Sequence, residues 1–276
     1  MSDVRRFSIA GVGLSVAVLA LTACGGDGQQ GLPTETQSAP TTEDTTTTTQ
    51  PTTTVAPPPG PAVGDVAGNP EAASALRAFL VDLEAGGIPA VAPTCWTIPP
   101  SEVPQQYADV PAILDAAAAP GVDGPSTVTW NGPAVTLSVA RTDVASGYAC
   151  PRISPAGTQP VFSDADATYT VARYLGRFTG SPVSPGDLEG DFPLVCADEP
   201  TWDPQGTGAP TVPPLVNNPG RLTGSASYNP DSVYVAAVNG TYTTVYADVT
   251  DVSGFEQNRV FTLASGPNGY CIGDVA

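Results

Sequence analysis

Residues 131–144 read NGPAVTLSVARTDV and residues 239–252 read NGTYTTVYADVTDV; the two stretches align without a gap, and six of fourteen positions are identical. In each copy the Asn-Gly pair follows a strand-like run, residues 127–130 (TVTW) and 233–238 (VYVAAV), so each copy is predicted to be a β-hairpin. Side chains alternate across a strand, and Val135, Leu137 and Val139 correspond to Thr243, Val245 and Ala247, so the same face points inward in both. One position departs from the pattern. Pro133 lacks the N–H that closes a two-residue type I′ turn, which predicts a wider or bulged turn in the first hairpin.

Upstream of each hairpin lies a segment with helical spacing. Asn69 and Pro70 read as N-cap and first residue of a helix whose Leu76, Phe79, Leu80 and Leu83 form one buried stripe, stopped by Gly86-Gly87. Ser163 and Asp166 form a capping box for a second helix, in which Val171, Tyr174, Leu175 and Phe178 repeat the spacing before Gly180. Downstream, Gly147-Tyr148-Ala149-Cys150 in the first half is matched by Gly269-Tyr270-Cys271 in the second, where residues 255–265 insert about another strand. Helix, hairpin and cysteine recur in the same order, as in an internal repeat. The fold class is therefore α+β: two related halves, residues 65–155 and 160–276, each a helix packed on a small antiparallel sheet. Residues 113–119 read as a short additional helix in the first half.

Of five cysteines, Cys95, Cys150, Cys196 and Cys271 lie in the two halves. An even number suits two disulfides with three possible connectivities. The repeat selects Cys95 with Cys150 and Cys196 with Cys271, each tying the loop after the helix to the last strand of its own half. A zinc site would need a Cys-x2-Cys pair or histidine, and the chain has neither, so no metal site is expected.

The remaining cysteine belongs to a targeting segment. Arg5 and Arg6 precede an apolar run, residues 9–21, too short to span a bilayer comfortably, which ends in Leu21-Thr22-Ala23-Cys24. That ending resembles the lipobox of bacterial envelope lipoproteins. The resemblance covers only the first 24 residues and implies a signal peptide over residues 1–23, acylation of Cys24, and tethering on the extracytoplasmic face of the cell membrane. Arg5-Arg6-Phe7 hints at twin-arginine export, but its flanks fit poorly and Sec export is the default. Several acyl chains on one residue anchor firmly where a single chain holds only marginally.

Residues 24–64 carry no periodic apolar pattern, and residues 33–61 hold 12 Thr and 7 Pro. Such a composition cannot bury enough surface to offset ordering entropy, so a disordered, partly polyproline-II stalk is expected. Its threonine runs, with the arginine-only basic set, resemble the O-mannosylated linkers of actinobacterial envelope proteins.

Charge and residue types narrow the function. The 276-residue chain has 27 acidic residues against 9 basic ones, all arginine, with no histidine and a formal charge of −18. Nucleic acid is an unsuitable partner, because phosphate binding needs clustered cations. Imidazole general bases, lysine Schiff bases and the P-loop lysine are all absent, and no catalytic residue or cofactor is assigned. Asp164-Ala165-Asp166 resembles the start of an EF-hand loop, but Tyr169 and Leu175 replace its glycine and bidentate glutamate, and helix capping accounts for it. Trp96 and Trp202 each follow a cysteine closely and are either ligand-contact aromatics or covers over the disulfides. The expected function is a non-enzymatic envelope lipoprotein that binds a protein, glycan or lipid. The alternative is a carboxylate-dependent hydrolase of cell-wall polysaccharide, which needs only two suitably spaced acids.

Overall fold

In the first helix, α1 (Pro70–Gly86), the Asn69 side chain accepts the Ala72 N–H at 3.3 Å and Pro70 occupies the first turn. The stripe Leu76, Phe79, Leu80 and Leu83 is buried. Gly87 ends the helix at φ 64°, a left-handed conformation that costs glycine little, and its N–H returns to the Leu83 carbonyl at 2.9 Å. These coordinates come from a computed structural model that describes residues 60–276. The segments expected to be a signal peptide and a stalk, with Cys24, lie in residues 1–59, outside the described residues.

Three short helices follow: α2 (Ile88–Val91), α3 (Val103–Gln106) and α4 (Val110–Ala117). The first sheet is antiparallel in sequential order, β1 (Gly121–Asp123), β2 (Thr127–Asn131), β3 (Val135–Ala140) and β4 (Arg152–Pro155), with α5 (Arg141–Ser146) inserted between β3 and β4. Leu137 and Val139 on β3 share one core with Leu76 and Phe79 of α1 and Ile113 of α4. The helix lying directly on β2 and β3 is α4, while α1 packs across α4 and α5. Gly132 is required at the hairpin tip because a Cβ there would come 2.6 Å from Ala116 of α4.

The second half begins with α6 (Asp164–Phe178), opened by the Ser163–Asp166 capping box that the sequence predicts. Its sheet is built on β7 (Tyr242–Asp251), which pairs on one edge with β5 (Ser225–Tyr228) and then β6 (Tyr234–Asn239), and on the other with β8 (Glu256–Gly266). Strand β8 is the predicted insertion, and it pairs with the final strand, β9 (Gly269–Val275). Thr243, Val245 and Ala247 face inward, as their alignment with the first hairpin requires. Val245 and Ala247 share a core with Val171, Tyr174 and Leu175 of α6, separate from that of the first half. Each half is thus helix on antiparallel sheet.

Three sequence expectations need correction, and the wider turn of the first hairpin is borne out. Packing begins before residue 65: Val63 is buried, the Gly64 N–H reaches the Ala117 carbonyl at 2.8 Å, and Trp130 Nε1 donates to the Gly64 carbonyl at 3.0 Å. Residues 60–64 therefore belong to the first half and not to the stalk. The hairpins differ in register, Asn131 facing Thr136 but Asn239 facing Tyr242, so the first loop is two residues longer, in line with the Pro133 prediction; a shift of two keeps inward faces inward. Residues 141–144 are helical where their counterparts 249–252 continue or follow a strand. Val249 has partners on both β5 and β8, whereas pairing with β4 ends at Ser138, leaving the chain beyond β3 without a strand on that side. Finally, Cys150 sits just before β4, while Cys271 lies on β9 itself. Likeness between the halves runs through helix and hairpin and diverges after them.

Candidate functional site

Both disulfides form as the repeat predicts, Cys95 with Cys150 and Cys196 with Cys271. In the chain-entropy account, loops of this length are worth about 4 kcal/mol each. Cys24 lies outside the described residues.

Neither predicted aromatic offers a free platform. Trp202 is buried against Gly273 of β9, with Tyr242 edge-on at 5.1 Å, so it packs on the second sheet outside the core shared with α6. Trp96 does not cover its disulfide but joins the halves. It packs edge-on against Phe192 at 4.7 Å, the Arg173 guanidinium stands 5.1 Å above its ring, and its carbonyl accepts from Tyr169 Oη at 2.8 Å.

Two charge clusters flank that contact, the first joining the halves and the second lying within the second half. Arg152 of β4 binds Glu102 at 3.0 Å and Asp166 of α6 at 2.5 Å, while Asp166 Oδ2 accepts the Ser163 N–H at 2.8 Å. The Ser163 hydroxyl donates in turn to Glu102. Asp187, whose side chain is fully buried, receives Arg173 at 2.6 Å and Arg177 at 2.5 Å. Arg177 also reaches Glu189. Each arginine of the junction is therefore matched by carboxylate.

Between the halves lies a cleft of about 470 Å³, within the size range of small-molecule sites. One wall carries Ser138, Thr142 and Asp143 of the first half, and the facing wall Thr170 and Arg173 of α6 with the β8–β9 turn at Asn268. Phe162, Phe192 and Leu194 supply apolar surface, and Cys150, Cys196 and Cys271 place both disulfides at its margin.

Two buried polar side chains lining this cleft form no side-chain hydrogen bond among the described residues. Ser138 is buried and its Oγ forms no hydrogen bond. It points away from the α4 side of the sheet, because Leu137 and Val139 occupy that face. Asp143, in the first turn of α5, is only 7 % exposed, and no hydrogen bond to its carboxylate is formed among the described residues. Burial raises its pKa to about 7 despite the opposing fields of Arg173 and Arg152. Tyr107, fully buried beneath, has its pKa raised by burial and then by the Asp143 charge; its hydroxyl donates to the Pro151 carbonyl at 3.2 Å.

Buried polar groups normally find partners, and an unpaired carboxylate is among the costliest to leave alone. A pair of such groups opening on one cleft is the arrangement expected of a site that a ligand completes. The second carboxylate of the cleft differs, since Asp166 spends both oxygens on Arg152 and Ser163. Among the described residues, no group of three potential ligands is placed to hold a metal ion, and no helix is long and apolar enough to cross a membrane.

Sequence reasoning did not single out Asp143, Ser138, Arg152, Arg173 or Asp187. The one available signal was the Thr136/Ser138 alternation on β3, which reads as a solvent face, whereas Thr136 is held by Asn131 and Gly157 and Ser138 lines the cleft. The chain matches no protein-family model, no curated protein and no solved structure.

Proposed function

We propose that this chain is a lipid-anchored envelope protein that binds a ligand in the cleft between its two halves, outside the cytoplasmic membrane, without transforming it. The observation that carries this reading is that Asp143 and Ser138, both buried and both lining the cleft, form no side-chain hydrogen bond among the described residues, while Arg152 and Arg173 beside them are paired with carboxylates. The lipobox-like ending at Cys24 and the Thr/Pro-rich stretch behind it support tethering at a distance from the membrane surface.

Hydrolysis of polysaccharide is the second reading, and the raised pKa of Asp143 favours it, because a general acid needs such a value. It also needs a second carboxylate free to act as base or nucleophile. The hydrogen bonds that saturate Asp166 weigh for binding over hydrolysis.

The test is a photo-crosslinking residue placed in the full chain at Asn268, on the cleft wall, or at exposed Thr207 outside it. Irradiation of intact cells should give adducts from position 268 and not from 207. Equal labelling at both positions contradicts a cleft-centred function. In the same preparation, intact mass should show acyl chains on Cys24, and an unmodified Cys24 removes the anchor.

A further inference from the structure

The geometry points to an uncharged, hydroxyl-rich ligand, a saccharide, held by Asp143 and Ser138 with one ring face against the apolar wall. This inference rests on the binding reading above and names its ligand class.

Elimination by charge leads there. An anion finds no free cation: Arg152 is occupied by Glu102 and Asp166, and Arg173 by Asp187 while stacked on Trp96. It would also lie beside the Asp143 carboxylate. A cation gains from that carboxylate but meets the guanidinium groups of Arg173 and Arg152, the two charges whose fields reach Asp143. A hydroxyl carries neither penalty. It donates to a carboxylate that has no protein donor, and a second hydroxyl can exchange donor and acceptor roles with Ser138 Oγ, whose proton rotates freely.

The surroundings match this chemistry. Thr142 and Thr170 line the cleft and offer hydroxyls of both hydrogen-bonding senses, while Phe162 and Phe192 present carbon surface of the kind a ring's C–H face covers. Volume sets the scale at a small saccharide and not an extended polymer.

The probes are maltose, cellobiose and N,N′-diacetylchitobiose, with spermidine and inorganic phosphate as charged counterparts, titrated into the full chain and followed by saturation-transfer NMR. At pH 8 at least one disaccharide should bind saturably, Asp143→Asn should weaken it roughly tenfold or more, as for a hydrogen bond to a charged group, and Ser138→Ala roughly threefold or more, as for a neutral one. Both variants should keep the wild-type near-ultraviolet circular dichroism, and Asp143→Asn should be no less stable at pH 8. A merely structural aspartate would fail that last criterion.

Saccharide binding indifferent to both substitutions overturns the inference, as does absence of binding by all three disaccharides. Spermidine or phosphate binding that Asp143→Asn abolishes overturns the ligand class while leaving the cleft as a binding site. Crosslinking from position 268 decides the broader reading separately, so the two can fail independently.

Discussion

Asp143 and Asp251 occupy equivalent positions in the aligned hairpins and have opposite fates. Asp251 Oδ1 accepts from Ser253 N at 2.8 Å, Ser253 Oγ at 2.6 Å and Phe255 N at 3.0 Å, and those hydrogen bonds, led by the Ser253 side chain, lower its pKa. Asp143 is turned into α5, buried and left without donors, and its pKa rises to about 7. The same residue type closes a surface turn in one half and opens on a cleft in the other.

Replacing Asp143 by Asn should change how stability depends on pH. Asp143 holds its proton in the fold up to about pH 7 but releases it near 4 when unfolded. Between those values the native state binds more protons, so this group's contribution is fully present below pH 4 and is lost as pH rises through 7. Urea denaturation from pH 4 to pH 8 should show wild type losing stability relative to Asp143→Asn. Parallel curves would mean that Asp143 is solvated. Arg173, Arg152 and Tyr107 are the other ionisable groups acting on it, and all three are retained in both proteins.

Asp187→Ala should leave Arg173, with its side chain only 8 % exposed, without a carboxylate, while Arg177 keeps Glu189. Breaking a buried pair from one side costs about 3–5 kcal/mol. Equilibrium unfolding of the variant should show a loss in that range, and a loss near zero would mean that water replaces the carboxylate.

Gly273→Ala tests whether Trp202 is a packing residue. A Cβ at position 273 would stand 2.1 Å from Trp202 Cζ3, so the indole must move. Overpacking of this kind costs about 1–3 kcal/mol. A lowered melting temperature with red-shifted tryptophan emission is expected, and unchanged emission would contradict the packing described here.

Removing either disulfide as a Cys→Ala pair should cost about 4 kcal/mol. Peptide mapping without reduction should recover the links 95–150 and 196–271 and no link between the halves.

Much of the fold was legible because local chemistry and tertiary packing agree. The Asn69 cap, the Ser163–Asp166 capping box and the inward faces of β3 and β7 each follow from residue type and spacing. The disulfide pairing was legible only through the repeat. The candidate site was not, because Asp143 departs from its aligned partner for a non-local reason. Arg141 binds Asp123 at 2.9 Å and the Gly124 carbonyl at 2.6 Å, fixing the chain as it leaves β3, and α1 packs on the helix that follows. Tertiary context of this kind overrides local strand preference. Trp96 was legible as an important aromatic but not as a link between halves, since Phe192 and Arg173 are remote in sequence.

The most direct measurement is the carboxyl carbon-13 titration of Asp143 in the full chain. A buried carboxyl without a hydrogen-bond donor titrates near pH 7, and saturating the cleft with a bound saccharide moves that midpoint. A midpoint near 4 that no ligand shifts would show a solvated, ordinary aspartate and would remove the basis for the proposed site.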